Sequence, residues 1–202
     1  MELTDIRLRG IMQYDPFNGT LEQCHKLKYF RLPNDSEYPL DLKRGFDTYV
    51  HRNGVFPGAF DLVQKYLMKV DQTKQLLQET DFILNRRTLL MFMEPTNQYS
   101  KVFCFEAFRF KECIFVKLYD NSEQNQDLRS TYAFKVRQYL LTERFGEAPN
   151  TWTSIDERMQ QYGMFSARIG QFRLLYSGEL TGLSNTDPLG DLTDQKELDK
   201  PI

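Results

Sequence analysis

The chain has 202 residues, with 26 Lys+Arg against 28 Asp+Glu and a formal net charge of −2, so no global positive field draws it to nucleic acid and any polyanion site has to be a local patch. Its 16 Phe, 11 Tyr and one Trp exclude a wholly disordered chain, and no apolar run reaches the roughly 18–20 residues of a membrane-spanning helix. Met1-Glu2-Leu3-Thr4-Asp5 lacks the basic-then-apolar order of a signal peptide, and Cys24, Cys104 and Cys113 form no close pair. Reduced thiols in a soluble, intracellular chain are expected, with no membrane partner.

Residues 1–56 are rich in turn formers, with Asp15-Pro16, Asn18-Gly19, Pro33-Asn34-Asp35 and Asn53-Gly54 separating short apolar pieces. Phe60, Val63, Tyr66, Leu67 and Val70 then repeat with helical spacing, and Leu76-Leu77 mark a second helical stretch before Asp81. Residues 82–93 begin and end apolar around Asn85-Arg86-Arg87. Lys101–Phe110 and Cys113–Tyr119 are aromatic and β-branched runs that predict an antiparallel hairpin. Asn121–Asp127 reads as a polar loop. Over Ser130–Leu141 helical spacing returns, with Ala133, Val136 and Leu140 on one side. Ser154-Ile155-Asp156-Glu157 fits a capping box and predicts a helix to about Ile169, ended by Gly170. Phe172–Leu180 reads as a buried strand. Beyond it the composition turns to Gly, Asp, Ser and Pro, which predicts a domain over 1–185 and an acidic tail over 186–202 without packed structure.

Common catalytic constellations are missing. His25 and His51, the two histidines, sit in no zinc-like spacing, and there is no nucleophile elbow and no glycine-rich phosphate loop. Glu179, closing the apolar strand in Leu174-Leu175-Tyr176-Ser177-Gly178-Glu179-Leu180, is an acid at a position suited to a metal-bound carboxylate.

Five segments together resemble the DXO-type decapping nucleases: DLKRGF (41–46), DFILNRRTLL (81–90), FEAFRFKECIFV (105–116), AFKVRQYL (133–140) and ARIGQFRLLYSGEL (167–180). The resemblance covers about residues 25–181 and is most specific at LLYSGE. It implies a mixed α/β, PD-(D/E)xK-like nuclease core with mixed β-sheets flanked by helices. It also implies RNA 5′-end chemistry with Mg²⁺ or Mn²⁺, and nuclear work, with the cytoplasm as a second compartment. Residue by residue, the family's first-motif arginine corresponds to Arg86, flanked here by Asn85 and Arg87. The Gly-φ-x-φ-Glu helix motif corresponds to Ala133–Arg137, so Arg137 stands in place of a metal-binding glutamate. The Glu-φ-Asp motif reads Glu179-Leu180-Thr181. For the fourth motif, Glu-φ-Lys, the nearest candidate is Glu197-Leu198-Asp199, and the later glutamine motif has no counterpart.

Two divalent ions beside a phosphate require several carboxylates. A guanidinium accepts no bond and does not deprotonate, and it would repel a dication at ~4 Å by about 8 kcal/mol at an effective dielectric near 20. The resemblance therefore implies a truncated, degenerate (Cutoff-like) member whose core lacks its C-terminal part. Glu179 would be the catalytic and metal-binding remnant, and Arg86, Lys135 and Arg137 would hold an RNA 5′ phosphate in an inward-facing patch. The expected function is RNA 5′-end binding without catalysis or cofactor, protecting or channelling nuclear transcripts. The alternatives are an active Mg²⁺- or Mn²⁺-dependent decapping hydrolase and an interaction module for a nuclear 5′→3′ exonuclease. A protein partner covering the sheet edge beside Phe172–Leu180 is also expected, because no later segment has strand character.

Overall fold

Phe82–Asn85 (β4) and Phe172–Glu179 (β9) are short and nearly continuously apolar, the pattern of strands buried on both faces. They pair in parallel, with Phe82 opposite Leu174 and Asn85 opposite Ser177. In this computed structural model, residues 2–15, 17–50, 59–93, 104–119, 128–158, 160–184 and 187–198 are described. The expected turn at 53–54, residues 101–103 of the expected hairpin, the expected loop at 121–127 and the Asp199 of the fourth-motif candidate fall outside these. The chain forms two units. One comprises Met1–Met12, Pro57–Ser122 and Tyr162–Glu179; the other comprises Gln13–Phe56, Glu123–Gln161 and Leu180–Ile202.

The first unit is built on a mixed sheet. Beside β4 and β9 it includes Thr4–Asp15 (β1), Cys104–Phe110 (β5), Cys113–Tyr119 (β6) and Gln160–Ile169 (β8), in the order β1-β8-β9-β4-β6-β5. Helix Ala59–Lys69 (α1) packs on β4 and β9, and helix Arg86–Met93 (α3) packs on β4, β9 and β6. Side-chain alternation along the strands separates these helices onto opposite faces. Leu84, Val116, Leu174 and Tyr176 form one core cluster with Leu89 of α3. Ile83 and Leu175, buried on the alternate positions, belong to the other side, where Phe60 of α1 meets Phe115 edge-on at 6.1 Å. The result is helices on both faces of a sheet. A short helix, Thr73–Gln78 (α2), buries Leu76 and Leu77.

The predicted α1, α2 and β5–β6 hairpin are present, and so is the interior strand β9. Residues 82–93 resolve into a strand and a helix, with Asn85-Arg86-Arg87 as the junction. Two expectations are overturned. The capping-box segment does not begin a helix: Asp156 turns its carboxylate onto Arg158 (2.7–2.9 Å), and Val50 N–H donates to the Ile155 carbonyl. The residues after it form β8, which pairs antiparallel with β9 from Tyr162–Glu179 to Ile169–Phe172 around Gly170, whose φ of +55° a glycine adopts without strain. Because β8 and β4 flank β9, the expected uncovered neighbour of β9 does not arise. Among the described strands of this unit the open edge is instead β5, exposed along its whole length.

The second unit contains Thr20–Gln23 (β2) and the antiparallel pair Tyr29–Phe30 (β3) and Leu141–Thr142 (β7). Its helices are Leu128–Leu140 (α4) and Gln195–Leu198 (α5). Residues 187–198, expected to lack packing, are held in place. Leu192 and Leu198 are buried, Leu192 N–H donates to the His25 carbonyl, and Asp191 pairs with His25 at 3.2 Å. The acidic residues misled because they bond locally, Glu197 accepting from Gly190 N–H at 2.8 Å, while the leucines between them fill the core.

Candidate functional site

In the first unit, β4 delivers the chain into α3 at Asn85. The Asn85 carboxamide oxygen accepts from Thr88 N–H at 2.8 Å and from the Thr88 hydroxyl at 3.1 Å, capping the helix N-terminus. Both residues are buried, which fixes the backbone from which Arg86 and Arg87 project, exposed, in the first turn. There they add charge to the positive end of the helix dipole, a combination that attracts anions. Neither Asn85 nor Thr88 was among the predicted site residues, although an Asn ahead of an apolar helical run is a recognisable cap.

Glu179 lies exposed at the end of β9, opposite Tyr162 of β8. Next to it, Gly178 has a role in placing Arg86. A Cβ at position 178 would lie 3.3 Å from Cδ and 3.6 Å from Cβ of Arg86. The stem of Arg86 therefore crosses directly over Gly178, bringing the first-motif arginine and Glu179 to one end of the sheet. The guanidinium also acts on Tyr176, whose phenol burial pushes up and Arg86 partly lowers. Gly178→Val should cost about 1 kcal/mol of stability, because a branched side chain there displaces the Arg86 stem. In an unfolding double-mutant cycle, Arg86→Ala should relieve much of that cost. Strict additivity would mean that the stem and Gly178 are not in contact.

Lys135 and Arg137 belong to the second unit, on α4. The buried stripe of that helix is Thr131, Lys135 and Tyr139, with Ala133 exposed. This phase differs from the expected Ala133–Val136–Leu140 face because Lys135 is an interior residue. Its ammonium donates to Gln138 Oε1 at 2.7 Å and to the Thr151 carbonyl at 2.8 Å. Burial, and then Arg44, holds its pKa below the usual lysine value, with Asp41 opposing. A phosphate could reach this ammonium only by displacing both partners. Arg137, half-buried, lies over the Phe134 ring at 5.1 Å, and Phe134 meets Tyr49 edge-on at 6.3 Å. Tyr49 donates to Glu157 at 2.6 Å, and burial and Glu157 push its pKa well up, against a lowering by Arg137.

Glu179 supplies a carboxylate at this end of the sheet. Among the described residues, no three His, Cys, Asp or Glu side chains are grouped as a metal ion would need.

The fold is shared with solved structures. Rai1 of Scheffersomyces stipitis in complex with (3′-NADP)⁺ and calcium matches with a TM-score of 0.72 at 14% identity, over 93% of this chain and 59% of that one. Candida albicans Rai1 in complex with pU5 and Mn²⁺ matches with a TM-score of 0.70 at 14% identity, over 93% and 56%. K. lactis Dxo1 in complex with manganese matches with a TM-score of 0.53 at 14% identity, over 90% and 51%. The chain thus spans a little over half the length of the Rai1 proteins. No curated protein matches it. The model of the RAI1-like PD-(D/E)XK nucleases matches residues 10–198, nearly the whole sequence, and the chain belongs to that family.

Proposed function

We propose that this chain binds the 5′ end of RNA without hydrolysing it, protecting or channelling nuclear transcripts. The observation that carries the reading is the loss of acids: Arg137 and Thr181 stand where the family's motifs place carboxylates, while Arg86 and Glu179, which match those motifs, lie at one end of the sheet. Rai1 of C. albicans was captured with pU5 and Mn²⁺, which makes a 5′-phosphorylated strand the natural ligand to carry over. Here the phosphate would meet Arg86 and Arg87 at the N-terminus of α3 and would need no divalent ion. Arg86 presents a forked donor suited to two phosphate oxygens.

The test is a titration of 5′-monophosphorylated and 5′-hydroxyl RNA in EDTA against the wild type, Arg86→Ala and Arg87→Ala. The wild type should prefer the phosphorylated strand, and each variant should lose about tenfold of that affinity, the worth of one charge-assisted hydrogen bond. Affinity should fall with salt by about 0.7 log units per log unit for each phosphate contact. Equal affinities across the three chains would place the 5′ end elsewhere. Release of a cap nucleotide with Mg²⁺ or Mn²⁺, abolished by Glu179→Ala, would restore the decapping enzyme.

A further inference from the structure

Far along β9 from Glu179, the first unit gathers four arginines around a groove of about 320 Å³. Arg7 and Arg9 alternate along β1, Arg168 comes from β8 and Arg173 from β9, with Asp5 and Glu79 as the acids of the lining. Arg173 is the second residue of β9 and Glu179 its last, so at about 3.3 Å per residue the groove lies ~20 Å from the end occupied by Arg86 and Glu179.

The pairing within this group is incomplete. Arg168 and Arg173 are direct cross-strand partners, which puts like charges about 5 Å apart at Cβ and is unfavourable by itself. Arg173 is fully engaged, with Asp81 at 2.8 Å and the Gln78 carbonyl at 3.1 Å. Among the described residues Arg168 forms one ion pair, with Asp5 at 3.6 Å, both side chains more than half exposed, and it acts at longer range on Asp81, which Arg173 already holds. Asp5 reaches it from a backbone φ of +50°, in the left-handed region that Asp tolerates better than most residues. Arg9 donates through Nε to the Ser166 hydroxyl at 2.8 Å, and exposed Arg7 has no acid partner among the described residues.

We propose that this groove is a second anion site that binds a phosphate group, with Arg7, Arg9 and Arg168 as donors and Asp5 as the counter-ion that the phosphate displaces. Guanidinium forks match phosphate oxygens in pairs, and a ligand that neutralises the group relieves the Arg168–Arg173 repulsion. The phosphate could be carried by the backbone of an RNA strand or by a small phosphorylated molecule. The site stands independently of 5′-end recognition, since it uses no residue from the Arg86 end of the sheet.

The full chain is titrated with inorganic phosphate by calorimetry, as wild type, as the Arg7→Ser/Arg168→Ser double variant and as Asp5→Asn, after each gives the wild-type circular dichroism spectrum. The double variant should weaken binding by about tenfold or more, the loss of charge-assisted bonds. Asp5→Asn should instead tighten it by about threefold, as a competing surface ion pair is removed. Superimposable titrations for the three chains, or weaker binding by Asp5→Asn, would overturn the site. A second arm uses a 5′-hydroxyl oligoribonucleotide. Loss of its affinity in the double variant assigns the phosphate to RNA backbone, and unchanged RNA affinity alongside lost phosphate binding assigns it to a small molecule. Because this strand has no 5′ phosphate, failure here and failure of 5′-end binding are read separately.

Discussion

Lys135→Ala is expected to lower the unfolding free energy by about 3 kcal/mol. The change removes a buried four-carbon stem and leaves the Thr151 carbonyl and the Gln138 side chain without their donor. Gln138 in turn donates to the carbonyl and hydroxyl of Thr153, both at 2.9 Å, so the loss loosens α4 from the 150–153 segment. Lys135→Met keeps most of the volume and removes the cost of burying a charge, and should cost only about 1 kcal/mol. The two variants also separate in pH. The folded pKa of Lys135 lies below its ordinary 10.5, so between the two values the unfolded chain binds more protons and wild-type stability rises with pH. Lys135→Met lacks that rise, and its deficit against the wild type should widen as pH climbs through this window. Denaturant titrations at several alkaline pH values check this, and a pH-independent difference would mean that Lys135 is solvated in the fold.

Asp81→Ala should cost roughly 2 kcal/mol at neutral pH. Asp81 accepts from Arg173 through Nη2 at 2.8 Å, Nε at 3.2 Å and the backbone N–H at 2.8 Å. Bonds to a charged acceptor are worth about 1.5–3 kcal/mol each when sheltered, and the partial exposure of this pair discounts them. The Arg173 bond holds the Asp81 carboxyl below its ordinary 3.8, with Arg168 adding to the effect. A depressed acid stabilises above its unfolded pKa and loses that contribution as pH falls through the folded value. The gap between wild type and Asp81→Ala should therefore be full at pH 7 and close below pH 3.8. Urea midpoints measured from neutral to acid pH test it, and a gap that persists in acid would assign the loss to packing.

The elements legible in the amino-acid sequence were those whose pattern is made by burial. The helical stripe of Phe60, Val63, Tyr66 and Leu67 and the apolar run of β9 each face a core that demands that spacing. β1 and β8 were not legible, because both mix arginines and glutamines with core residues. For β8 a strong local cap pattern competed, and pairing along the whole of β9 outweighs one Ser and one Glu. The phase of α4 was hidden for a related reason: a lysine counts as surface until Gln138 and the Thr151 carbonyl are known to receive it. Glu179 stood out as an acid closing an apolar strand, whereas Arg86 emerged only through the family motifs. That they share one end of the sheet depends on the parallel β4–β9 register and on the bare Gly178, neither of which periodicity reveals.

The Asp81–Arg173 clamp joins residues 92 positions apart in sequence, and the parallel pairing that follows it inherits the same separation. Long-range parallel pairing is slow to form because the intervening loop must be closed first. On a ribosome adding roughly 5–20 residues per second, β4 waits about 5–20 s before β9 exists. Once β6 has been made, and until β9 is, the strand leading into Arg86 has β6 on one side and an open edge on the other. The end of the sheet that holds Arg86 and Glu179 is therefore a late product of synthesis, and a nascent chain stalled before β9 would expose an apolar edge of the kind that chaperones recognise.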